Sequence, residues 1–146
     1  MEKSDKVRKN LKQMGWILFA IAVLNLVEII YGLVRSVYIL DYSPIENVYV
    51  VCSLIIAIIM IVAGIILGKN ALDRVNNKTD KKYNGLLWAG IVASFLGFAY
   101  VTFDRFFGGT LIYIYDRIFV FNVVFGFIML VYYMHISKKF DNYSKE

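Results

Sequence analysis

The sequence predicts an all-α protein, a bundle of four membrane-spanning helices with both termini on the cytoplasmic side. Four apolar segments carry that prediction, over residues 13–34, 47–68, 85–107 and 111–136. Each is about 22–26 residues long, and at about 1.5 Å per residue each covers a hydrocarbon core of about 30 Å. The composition agrees, being 60% hydrophobic with a mean hydropathy of +0.63. The third observation is charge placement. Of the 16 Lys and Arg, thirteen lie before the first segment, between the second and third, or after the fourth; the other side holds only Arg35, Arg105 and Arg117. In loops this short, such a bias puts the basic side in the cytoplasm.

Residues 1–12 read as a basic cytoplasmic tail, residues 13–136 as the transmembrane domain and residues 137–146 as a second cytoplasmic tail. None of the polar stretches is long or apolar enough to bury a core of its own. The first span follows a basic region as a signal peptide would. Its apolar run is too long for one, lacks a small-x-small cleavage site and is interrupted by Glu28, so it reads as a retained span.

The only proline, Pro44, follows Tyr42-Ser43 and suits the first turn of the second helix. That helix is expected to run a turn or two past its span, until Asn76-Asn77 breaks it. Gly108-Gly109-Thr110 makes a tight link between spans three and four, which are therefore expected to be antiparallel neighbours. A shift of 70 residues aligns Gly15 with Gly85, Ile21 with Ile91, Leu26 with Leu96 and Arg35 with Arg105. Agreement is little above what two apolar helices share by chance.

Glu28 is the sharpest single residue. It is the only formally charged side chain well inside a span, where an unpaired carboxylate costs several kcal/mol. Asn25, Glu28, Gly32 and Arg35 recur at helical spacing and share one face, expected to turn into the bundle. One reading makes Glu28 a proton- or cation-exchanging group. The other pairs it with Arg35, Arg105 or Arg117, or sets it against Asn25 or a tyrosine.

At the outer boundary stand Asp104-Arg105 and Asp116-Arg117, with Tyr113 and Tyr115 between them. With Tyr38, Tyr42, Tyr49 and Phe119 they form an aromatic rim. An interfacial belt accounts for such a rim; a docking surface built on Tyr113, Tyr115, Asp116 and Arg117 is the sharper reading.

Small residues mark expected helix contacts: Ser53, Ala57, Gly64 and Gly68 in span two, and Ala89, Ala93 and Gly97 in span three. Asn122 and Gly126 are expected to meet span two or three. Internal packing is the default use of these stripes, and self-association the alternative.

Several activities lack their parts. His135 is the only histidine and Cys52 the only cysteine, so a bis-histidine haem, a zinc cluster or a CxxC redox pair within one chain is ruled out. No phosphate-binding, dinucleotide-binding or hydrolase motif occurs. No cofactor, metal or nucleic acid is expected. The net charge of +5 is accounted for by basic residues against anionic lipid at the cytoplasmic face.

Four spans with a carboxylate in the first resemble the small multidrug transporters. That family carries a tryptophan in span three facing its substrate site, whereas Trp88 lies at the edge of span three and the charged tails are longer. The glycine-rich arginine motif of the small four-span fluoride channels is missing, so no family is assigned. The expected function is that of a non-enzymatic accessory or interaction protein in a bacterial envelope membrane, bound to another membrane protein or to itself. The alternative is a homo-oligomeric transporter or channel using Glu28.

Overall fold

The computed structural model describes residues 2–38, 44–106 and 115–144, with side chains over 2–31, 51–102 and 119–144. Four helices fill these ranges: α1 Glu2–Tyr38, α2 Pro44–Val75, α3 Asn84–Phe106 and α4 Tyr115–Ser144. All four are long and apolar enough to cross a membrane, and they pack together as a multi-pass membrane protein. Contacts run α1–α2, α2–α3, α3–α4 and α4–α1, which closes a ring. Alternation up and down brings both chain ends and the 76–83 connection to one end, the basic end.

Helix continues through most of both terminal basic segments. At 37 residues, α1 is about 55 Å long, well beyond one hydrocarbon core, and carries the first basic residues on continuous helix. Glu2 and Asp5 in its first turn favour that start, since negative charge is stabilising at a helix N-terminus. α4 likewise continues to Ser144. The expected division at residues 12 and 136 therefore does not mark an end of structure, because Leu11 and Ile136 belong to the same buried core as Leu18 and Leu67.

α2 opens on Pro44 and stops after Val75. Its end is a Schellman cap. Asn77 takes the left-handed conformation at φ 57°, its N–H bonds the Arg74 carbonyl at 3.1 Å, and the Lys78 N–H bonds the Asp73 carbonyl at 2.8 Å. Asparagine is the commonest non-glycine residue to tolerate that backbone, which is why Asn76-Asn77 breaks the helix.

Backbones come closest where α1 crosses α2. A methyl group added at Gly64 would lie 2.6 Å from the Leu18 carbonyl oxygen and 2.9 Å from Ala22 Cβ; at Gly68 it would lie 2.9 Å from the Gly15 carbonyl oxygen. Backbone atoms cannot step aside as a side-chain end can. The Gly64–Gly68 pair is thus used inside the bundle, against α1. In α3 the buried line is Gly90, Ala93 and Gly97: Gly90 faces Leu130 and Ala63, and Gly97 faces Val123 and Phe119. Ala89 is exposed, one position off that line, so it takes no part in the expected stripe.

Gly64→Ala is therefore expected to destabilise the protein by about 1–3 kcal/mol, the usual cost of overpacking. Gly85→Ala, where an added methyl meets nothing within 4 Å, is expected to be nearly silent. Thermal unfolding in one mild detergent compares them; equal midpoints for the two variants would contradict the close seam.

Candidate functional site

Two polar layers lie on the bundle axis. The inner one centres on Glu28, which is 2% exposed. Its Oε2 accepts a hydrogen bond from Asn122 Nδ2 at 2.8 Å, joining α1 to α4. The same nitrogen lies 3.4 Å from the Leu24 carbonyl oxygen, a longer second contact to α1. Glu28 Oε1 is buried with no hydrogen-bond partner among the described residues. Val101, Phe119 and Val123, from α3 and α4, form a separate small apolar cluster.

The layer departs from expectation in its partners. Asn25 is buried on the same face as Glu28 but donates to its own helix, at 2.8 Å from the Ile21 carbonyl oxygen. A short amide side chain in a helix reaches the carbonyl four residues back more readily than a carboxylate three residues on. Asn122 reaches α1 rather than span two or three. Arg35 and Arg105 stand on α1 and α3, and their side chains lie outside the described residues. Of the outer rim, Tyr113 lies outside them altogether; Tyr115, Asp116 and Arg117 begin α4, with side chains outside the described set. Phe119 is not a rim residue. It is 2% exposed and packs inward.

The second layer sits at the basic end and was not anticipated. Arg74, counted in the sequence among the loop cations, is 4% exposed. It pairs with Asp141, donates to Ser137 Oγ at 2.6 Å and lies 5.4 Å from the Phe140 ring centroid. Lys82 completes the group, its Nζ 2.8 Å from Asp141 Oδ2. Nearby, Asn70 Nδ2 donates to the Lys81 carbonyl at 2.9 Å, which ties the connection to α2. Arg74 and Asp141 are 67 positions apart, so spacing along the chain gives no hint of the pair. The only sequence signal was an aspartate one turn after two lysines at the end of an otherwise basic helix.

This arrangement ties three parts of the chain together. Bonded to Ser137 and Asp141, Arg74 fastens the end of α2 to the end of α4, and Lys82 brings in the connection to α3. A cavity of about 570 Å³ opens beside it, lined by Asp5, Asp80 and Asp141 against Arg8, Arg74 and Lys82. Its charges balance. Ser94, midway along α3, donates to the Gly90 carbonyl at 2.8 Å and lies 3.1 Å from Met60 Sδ, so its hydroxyl is used in packing. Cys52 is exposed on the outer surface of α2.

Hydrogen bonds between membrane helices are worth about 0.6 kcal/mol on average and up to about 1.7, less than the low polarity of lipid suggests. A double-mutant cycle of Glu28→Ala and Asn122→Ala is therefore expected to give a coupling in that range. Additive losses in thermal or denaturant unfolding would show that the bond carries no stability.

Compared with protein-family models, curated proteins and solved structures, this chain matches none.

Proposed function

We propose that this chain is a non-enzymatic accessory protein of a bacterial envelope membrane, with its basic end in the cytoplasm. It acts by holding another membrane component, as a small subunit of a transport or secretion system does, or as an immunity-type protein does with a membrane-active toxin. The observation that carries this reading is the enclosure of Glu28: the one carboxylate well inside a span is 2% exposed and engaged by Asn122 within a single chain. A group used to bind and release a travelling ion needs water or a path beside it. The two cavities described open at the basic end, lined by other residues. Orientation is supported by the thirteen basic residues on one side, and a bacterial source by heavy use of Ile, Lys, Asn and Tyr.

A transporter or channel made of several copies is the second reading, favoured by Glu28 Oε1, which has no partner among the described residues. It requires that Glu28→Gln abolish a pH-dependent flux in liposomes while leaving the fold intact.

The accessory reading is tested by purifying the tagged full chain from its native membrane in mild detergent. A second polypeptide in fixed stoichiometry is expected. Replacing Tyr113, Tyr115 and Arg117 by alanine is expected to reduce its recovery about tenfold with an unchanged thermal midpoint, since such residues dominate contact energies. A pure homo-oligomer showing Glu28-dependent flux would overturn the reading.

A further inference from the structure

The groove between the first turns of α1 and the last turns of α4 has a chemistry unlike the rest of the basic end. Its cavity of about 300 Å³ is lined on α1 by Lys3, Lys6, Val7 and Asn10, and on α4 by Tyr132, His135, Ile136, Lys139 and Tyr143. The spacings put each set on one helical face. Three lysines and the only histidine converge there, and among the described residues no carboxylate lines it. The neighbouring cavity, with three acids against three bases, is the contrast.

Among the described residues no carboxylate holds these lysines. Among the described residues the ion pairs are those of Arg74 and Lys82 with Asp141, and none involves Lys3, Lys6 or Lys139. Like charges line one groove whose described lining holds no carboxylate, Glu2 and Asp5 lying in the same first turn but not in that lining, and this favours an anion from outside. The groove also starts at the level of the lipid. Tyr132 is exposed, and below it on α4 the exposed residues Val131, Ile128 and Phe121 continue as an apolar strip. An occupant therefore meets donors and positive charge at one end and a greasy wall at the other.

We propose that this α1–α4 groove binds the headgroup of an anionic glycerophospholipid, with the phosphate among Lys3, Lys6, His135 and Lys139 and the acyl chains along the exposed strip of α4. Charge complementarity selects the headgroup, and continuity with the apolar strip selects a lipid over a soluble phosphate. The lipid contact expected of the whole basic face is thereby narrowed to one groove. Arg74 and Lys82 in the 69–84 region are already committed to Asp141 and do not contribute.

The test is native mass spectrometry of the purified full chain in mild detergent, with cardiolipin, phosphatidylglycerol or phosphatidylcholine added at equal concentration. Wild type is expected to retain cardiolipin and phosphatidylglycerol at least about tenfold more than phosphatidylcholine. The triple variant Lys3→Gln, Lys6→Gln, Lys139→Gln is expected to lose on the order of a hundredfold of that affinity, at about fivefold per cation. Its charge-matched control, Lys69→Gln, Lys78→Gln, Lys81→Gln, is expected to keep it. Equal loss in the two variants would overturn the groove in favour of diffuse surface charge. Equal retention of all three lipids by wild type would overturn headgroup selection, and that comparison needs no variant to fold. Displacement of bound lipid by millimolar inorganic phosphate would assign the groove to a soluble anion instead.

Discussion

Lipid offers Glu28 and Asn122 nothing to bond with, and that constraint governs how α1 and α4 are turned. Each residue would cost several kcal/mol if left facing hydrocarbon. Facing each other at 2.8 Å, they fix the rotation of both helices about their axes. The remaining faces follow. Val23, Leu26, Val27 and Ile30 on α1 point outward because Asn25 and Glu28 point inward. In water the apolar residues would decide which face is buried; in a membrane the polar ones do.

Polar pairing sets rotation, and small residues set distance. Apolar side chains gain little by leaving lipid for a protein interior, so helices must approach until van der Waals contact and backbone proximity suffice. Gly64 and Gly68 allow that against Leu18 and Gly15, and Gly90 and Gly97 allow it between α3 and α4. The Arg74–Asp141 lock then ties α2 to α4 beyond the apolar core, across the ring rather than around it. The long helices thereby give a protein with little mass outside the membrane a polar platform at its basic end.

Spans, antiparallel order and the break at Asn76-Asn77 were legible in the sequence, because each rests on local chemistry: length of apolar run, the alternation that successive spans impose and a residue that tolerates φ 57°; the Gly108-Gly109-Thr110 link lies outside the described residues. Which groups meet was less legible. Glu28 was recognisable by its cost, whereas its partner on α4 depends on how two distant helices rotate, which periodicity leaves open within a residue or two. The same looseness put Ala89 on the contact line where Gly90 belongs. Arg74 was hidden by its company. Among the ten cations on the basic side before residue 83, nothing local distinguishes the one that is buried. The weak match of the two hairpins does not extend to use, since Gly15 abuts the Gly68 carbonyl while Gly85 faces open space.

Among the described residues Glu28 is enclosed and bonded by Asn122, and the accessory reading requires that no aqueous route reach it. The most direct measurement places a cysteine there (Glu28→Cys with Cys52→Ser) in sealed vesicles and exposes it to a membrane-impermeant maleimide from each side. Lys81→Cys on the exposed connection serves as the reactive control. Protection of position 28 from both sides, with full labelling at position 81 from one, is the predicted result. Labelling of position 28 from either side would contradict the closed bundle and make Glu28 part of a water-filled path.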